Sequence, residues 1–310
     1  MTSEHYIRLR SIPNRPETYF KYLTAEVAKI ILVNHTLRWS SPLLFDDIFD
    51  VKRDFDFGFD IEELKEPIVN EIKNLLSVEN IPDLSSRPLV DWFIQTLRRQ
   101  DCDNKHKIIL KLPQLIDKGI HHAKNNSYEM IKKQWSEFIP QFRILCLSAV
   151  NDNLCMWAHY SDSHKGVVLE FQSINYLDSP WLIAQPIVYQ DSPPILATKQ
   201  EWIKSITGQK LLKYDEPQFW EPYIITKKID WEYQKEWRVV DFCDKGETGL
   251  FSDYGFDPRE LRSVYLGCDI SEKDVKDITS LLKFDLAHVK VFSGKRLDGE
   301  RELSFEKIKP

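Results

Sequence analysis

Residues 147–171 crowd Ser148, Asp152, His159, Tyr160, His164 and Lys165 between two apolar runs, a density of polar groups that a loop can present to a ligand. An imidazole that titrates near neutral pH can donate to or accept from a substrate oxygen, and Lys165 beside Gly166 can hold an anionic group. The segment 154–160 reads as a short helical turn. Its spacing sends Met156 and either His159 or Tyr160 along one side, since residues three and four apart are neighbours on a helix. Ser148 and His159 are then candidates for one pocket, with Trp157 and Tyr160 as aromatic ligand-binding residues. The plainer alternative is that these groups satisfy one another and the backbone of a long loop. No G-x-S-x-G elbow supports a hydrolytic triad, and the i, i+5 spacing of His159 and His164 is awkward for a metal site.

A second group occupies residues 231–240. Strand alternation from Glu236 puts Glu236, Arg238 and Val240 on one face and Trp237, Val239 and Asp241 on the other. A carboxylate and a guanidinium on one face suit chemistry in which positive charge develops on a sugar carbon, the carboxylate stabilising that charge or binding a ribose hydroxyl. An ion pair at a strand end is the alternative. A third group begins at Ser40, where Ser41 and Pro42 turn the chain and Asp46, Asp47 and Asp50 follow among aromatic residues. The adjacent carboxylates can line a site or cap a helix. With Lys21 and Tyr22 they would form one side of a cleft whose other side carries His159 and Glu236.

Several elements must position these groups. Residues 19–23 and 36–40 read as strands around a helix over 25–34 with Thr24 as its N-cap, a βαβ-like start. Apolar residues at helical spacing predict helices over 60–77 (Ile61, Leu64, Ile68, Ile72, Leu75), 87–99 and 127–138 (Tyr128, Ile131, Trp135, Phe138). Residues 51–140 thus read as a helical insertion within a single domain spanning 1–310. Short apolar runs predict strands over 144–147, 166–171, 186–189, 236–242, 263–268 and 288–292. Residues 192–222 read as an irregular excursion, with Trp202, Tyr214 and Trp220 among its prolines, around a helix near 199–207. A capping box at Ser271 opens a helix to Lys283. Together these predict an α+β fold with a twisted mixed or antiparallel sheet flanked by helices.

Composition removes several classes of function. The 310 residues carry 42 Lys+Arg against 48 Asp+Glu, a net charge of −6, which disfavours a generally basic nucleic-acid-binding surface. The local basic run over 98–133 still leaves room for phosphate contacts. The five cysteines are odd in number and widely spaced, which argues against a disulfide framework and fits a reducing cytoplasm. No run approaches the roughly 18 apolar residues of a membrane span. The ten glycines include no GxGxxG or Walker spacing, so phosphate cradling by a glycine-rich turn is not expected.

With these blocks in view, the chain resembles the bacterial domain-of-unknown-function family numbered 2971. The resemblance rests on Phe20-Lys21-Tyr22, on Leu37-Arg38-Trp39-Ser40-Ser41-Pro42 leading to Phe45-Asp46-Asp47-Ile48-Phe49-Asp50, on residues 147–171, and on Trp231-Glu232-Tyr233-Gln234-Lys235-Glu236-Trp237-Arg238. The family usually has Asn at the position of Asp46 and Pro at that of Ile48. The layout, an N-terminal strand with a cation and a tyrosine, a helix, a short strand with serine and a late strand with glutamate, also resembles ADP-ribosyltransferase-like folds. That resemblance implies a bacterial enzyme taking NAD as substrate, by ADP-ribosyl transfer or glycohydrolysis, as in phage-defence or toxin-type effectors. Tyr22 or Tyr160 would stack on nicotinamide, Lys21 or His159 would orient NAD, and Glu236 would be catalytic, with Arg238 beside it. The remaining competitors are a metal-dependent nuclease or phosphodiesterase built on Asp46, Asp47, Asp50 and His159, and a non-catalytic nucleotide sensor or scaffold.

Overall fold

The computed structural model describes residues 3–52, 58–79, 88–210, 212–213, 216–297 and 302–308. Arg87, Tyr214 and the side chain of Tyr128, each part of an expectation above, lie outside the described residues.

Helix α1 (Ser3–Arg10) precedes β1 (Thr18–Leu23). Thr24 then caps α2 (Ala25–Asn34), its side chain accepting from the Val27 amide, and His35, left-handed at φ 51°, closes the helix before β2 (Thr36–Ser40). Three helices follow, α3 (Lys65–Ser77), α4 (Pro88–Arg98) and α5 (Cys102–Phe138). Next come β3 (Phe142–Ser148), α6 (Leu154–Tyr160), β4 (Val167–Gln172), β5 (Gln185–Pro186) and β6 (Val188–Tyr189). After α7 (Lys199–Ile206) and α8 (Glu221–Ile224) the chain forms β7 (Thr226–Lys227), β8 (Glu236–Phe242), β9 (Phe251–Gly255) and β10 (Leu261–Leu266). It ends with α9 (Glu272–Leu281), β11 (Lys290–Arg296) and β12 (Leu303–Ile308). At α9 the Ser271 hydroxyl accepts from the Asp274 amide and donates to its carboxylate, so Asp274 returns to the serine side chain rather than to its backbone.

The chain divides into two compact units: residues 1–52, 139–191 and 225–310 form one, residues 53–138 and 192–224 the other. The second unit is helical. It buries Ile68, Ile72 and Leu75 of α3, Ile94 and Leu97 of α4 and Ile131 and Trp135 of α5, as their spacing predicts. Trp135 stacks on Trp220 at 4.8 Å. Thr198 and Glu201 form a capping box at the start of α7.

The first unit is α+β and holds a mixed, mostly antiparallel sheet. β12, β11, β10, β4 and β1 are neighbours in that order, with the β10–β11 pair parallel. β3 carries β8 along its whole length from Phe142↔Phe242 to Ser148↔Glu236. Its other edge is shared. β1 bridges it at Phe20↔Ser148 and β2 at Ser40↔Ile144, so the βαβ-like start has β3 lodged between its two strands. β2 continues outward to β9. The apolar run expected over 186–189 is broken in two, β5 pairing β8 and β6 pairing β7. Tyr19, Leu145, Leu147, Leu169, Phe171, Trp237 and Val239 fill one face of the sheet as a continuous core. A smaller cluster on Phe20, Tyr22, Met156, Trp157 and Val168 packs elsewhere against the same strands.

Candidate functional site

β1 and β2 diverge from β3 between their two bridges, and a cavity of about 260 Å³ opens over this split. The divergence leaves the Cys146 carbonyl facing a side chain: Lys21 Nζ donates to it at 2.8 Å. Buried backbone acceptors require a partner, and here a half-buried ammonium supplies one. Burial lowers the Lys21 pKa from its ordinary value, a shift opposed by the nearby Glu236 carboxylate. The Cys146 thiol lines the same wall, where burial and Glu236 push its pKa up to about 12.

The floor of the cavity is a buried network of charge. Alternation along β8 turns Glu236 and Arg238 into it while Trp237 and Val239 join the core. Arg238 Nε donates to Glu236 Oε1 at 2.6 Å, and its two terminal nitrogens donate to Asp50 Oδ1 and Oδ2 at 3.1 and 2.5 Å. Lys227 Nζ donates to Glu236 Oε2 at 2.9 Å and to Gln234 Oε1 at 2.8 Å, and lies 3.4 Å from Asp50 Oδ2. Arg238 is fully buried, and Asp50, Glu236 and Lys227 nearly so. Two cations thus face two carboxylates, the pairing that buried charge demands. Burial alone would raise the Glu236 pKa, but Arg238 and Lys227 overcome it and hold the carboxyl at about 2. Lys227 is likewise held charged: Glu236 and Asp50 outweigh its burial.

The walls come from the other blocks. Ser148 Oγ donates to the Gln234 carbonyl and accepts from the Val150 amide, pinning β3 to the turn before β8. Gln234 Nε2 donates to Tyr160 Oη at 2.8 Å. Asn153 caps α6, and that helix sends Met156 and Tyr160 to the cavity. Tyr22 Oη donates to the Val150 carbonyl at 2.9 Å. From the turn after β2 come Phe45, whose ring lies 5.2 Å from the Arg238 guanidinium, and Asp46 and Asp47. Asp47 Oδ1 accepts from the Phe49 amide, which closes a turn; no helix begins here for it to cap.

Of the residues singled out in the sequence, Lys21, Tyr22, Ser40, Asp46, Asp47, Ser148, Tyr160, Glu236 and Arg238 are brought to this one cavity. Trp157, His159, His164 and Lys165 are not among its lining residues. Trp157 is fully buried, its indole nitrogen donating to the Asn151 carbonyl. His159 is exposed beside the Tyr233 hydroxyl, one position from the face of α6 that carries Met156 and Tyr160. Past α6 the chain takes three successive left-handed residues, Asp162, Ser163 and His164, at φ 45°, 51° and 68°. The amides of Ser163, His164, Lys165 and Gly166 all bond carbonyls within residues 157–162. The loop backbone satisfies itself, while the Ser161 hydroxyl and His164 Nδ1 are buried with no hydrogen-bond partner among the described residues. Gly166 is forced by close approach, since a Cβ there would lie 2.1 Å from the Leu23 carbonyl oxygen.

Asp50, Lys227 and Gln234 were not singled out as ligand-binding residues. Asp50 stood in the acidic turn, and Gln234 lies two before Glu236, the spacing of one strand face. Lys227 sits on a two-residue strand with no pattern of its own. Among the described residues no group of three or more His, Cys, Asp or Glu is placed to hold a metal ion. Of the quartet of the nuclease alternative, Asp46, Asp47 and Asp50 line the cavity, with Asp50 bonded to Arg238, and His159 lies off it. Among the described residues no helix is long and apolar enough to cross a membrane.

A family model described as "Protein of unknown function (DUF2971)" matches residues 156–239, so this stretch of the chain is similar to that family. The match runs from Met156 on α6 to Val239 on β8 and includes Tyr160, Lys227, Gln234, Glu236 and Arg238 of the cavity. No curated protein and no solved structure matches the chain.

Proposed function

We propose that the cavity binds the nicotinamide-ribose end of NAD and that the protein cleaves its glycosidic bond, by ADP-ribosyl transfer or glycohydrolysis, on an ADP-ribosyltransferase-like arrangement of β1, β2 and β8. The observation that carries this reading is a buried glutamate, paired with Arg238 and Lys227, at the floor of an aromatic-walled cavity that also presents Lys21, Tyr22 and Tyr160. Cleavage of an N-glycosidic bond builds positive charge on the sugar carbon, and a preorganised carboxylate in a low-dielectric site stabilises that charge. Tyr22 or Tyr160 offers an aromatic face to the leaving ring. The cavity lies just below the roughly 300–1,000 Å³ of ordinary ligand pockets. That size suits a ring and one sugar, with the rest of the dinucleotide outside.

The test is NAD consumption, followed by separation of nicotinamide from ADP-ribose. Glu236→Gln is expected to abolish turnover while the protein keeps a cooperative melting transition; unchanged turnover removes Glu236 from the chemistry.

A second reading, a nucleotide sensor without turnover, is favoured by one observation: both Glu236 oxygens already accept hydrogen bonds from Arg238 and Lys227. It predicts a calorimetric binding signal for NAD with no product released.

A further inference from the structure

Glu236 can act on a ligand only if one of its oxygens can be given up without stranding a buried cation, and the position of Asp50 answers that requirement. Lys227 Nζ stands between two carboxylates, 2.9 Å from Glu236 Oε2 and 3.4 Å from Asp50 Oδ2, with the Gln234 side-chain oxygen as a third acceptor. Asp50 meanwhile holds Arg238 through both of its oxygens. From these distances we infer that Asp50 is a positioning residue that exchanges with Glu236 as the partner of Lys227. When a ligand hydroxyl donates to Glu236 Oε2, the ammonium turns toward Asp50. No proton moves, and two cations still face two carboxylates.

The chain around Asp50 is shaped for this placement. Val51 follows it in a left-handed conformation at φ 47°, fully buried. A β-branched residue adopts that conformation only where its surroundings enforce it. Lys52 reaches back to the Phe45 carbonyl, and the Phe45 ring covers the Arg238 guanidinium. The turn thus closes on itself and presents the Asp50 carboxylate inward. The same turn supplies Asp46 and Asp47 to the cavity, so its fold sets both the wall and the alternative partner.

This inference rests on the proposed function for the identity of the ligand, but its central claim, that one carboxylate can stand in for the other, is testable without any ligand. Urea unfolding of the wild type, Asp50→Asn, Glu236→Gln and the double variant forms a thermodynamic cycle. Either single variant leaves Lys227 one carboxylate; the double leaves both cations with none. The expected result is that each single variant folds and that the double loses more stability than the sum of the two, or does not fold at all. Additive losses, or a single variant that fails to fold, overturn the exchange.

The ligand arm compares NAD with its analogue carrying 2′-deoxyribose beside nicotinamide. Wild-type protein should prefer NAD by about tenfold, the worth of one hydrogen bond to a charged group. Asp50→Asn should bring the two affinities together, because Lys227 then keeps Glu236 to itself. A preference retained in Asp50→Asn overturns the exchange and leaves the proposed function standing. If NAD does not bind and the cycle is non-additive, the proposed function fails and the interchange of carboxylates survives.

Discussion

On one face of β8, Trp237 and Val239 pack with Leu145, Leu147 and Tyr19 in an apolar core that Arg15 borders, its guanidinium over the Trp237 ring; on the other, Glu236 and Arg238 join Asp50 and Lys227 in a buried network of charge. The two faces share one backbone and one β3–β8 register, yet they answer to different physics. Apolar burial is favourable at every contact. A buried ion-pair network gains its Coulomb energy only by overcoming the desolvation of every member, and well-packed apolar side chains of similar volume often replace such a network without loss of stability. Stability alone therefore does not account for the charged face. Its members line the cavity, as the proposed binding of a ligand there requires.

The comparison is broken most directly by deleting one side chain from each face. Arg238→Ala should cost about 3–5 kcal/mol at neutral pH, because Asp50 and Glu236 are left buried with Lys227 as the one cation between them. Leu145→Ala should cost a similar or slightly smaller amount, about 2–5 kcal/mol, through a cavity in the core. Urea titration at pH 7 and pH 4 separates the two. The loss from Arg238→Ala should shrink in acid as the stranded carboxyls take up protons, whereas that from Leu145→Ala should not change.

A smaller effect sharpens the same contrast. The Glu236 pKa is depressed from 4.5 to about 2 in the folded protein. Between those values the unfolded chain binds the proton more readily, so this group stabilises the fold fully above about pH 4.5 and loses its contribution as pH falls through about 2. Glu236→Gln should flatten that part of the acid limb of stability against pH, measured by urea midpoints from pH 7 to pH 3. An unchanged slope would mean that the charged face is not linked to folding through this carboxylate.

The smallest effect lies outside both faces, in the turn after α6. Ser163 is exposed and left-handed, a conformation that glycine adopts without strain. Ser163→Gly should raise stability by up to about 1 kcal/mol, less the added entropy of the unfolded chain. A loss in thermal melting would show that the serine side chain, and not only its backbone, holds the turn.

Much of the frame was legible in the residues. Thr24 announced α2, alternation from Glu236 separated the pocket face of β8 from its core face, and the helical spacing of α6 made Tyr160 one of two choices. What escaped was long-range. Asp50 and Arg238 are 188 positions apart, and no local pattern announces an ion pair across that distance. Strands β9 and β12, unforeseen, take their partners from β2 and β11. Segment 147–171 stood out for its polar density, yet of its singled-out polar residues Ser148 and Tyr160 line the cavity while His159, His164 and Lys165 do not. Composition could not separate groups facing a cavity from groups closing a turn.

The Cys146 thiol adds a consequence for the chemistry this protein can suffer. Thiolates, not thiols, attack electrophiles and oxidants, and burial, which pushes its pKa up to about 12, keeps this sulfur protonated in the cavity wall. Exposed Cys102 and Cys155 stand elsewhere as the accessible targets. Oxidative episodes would mark the outside of the molecule first and leave the wall of the cavity chemically intact.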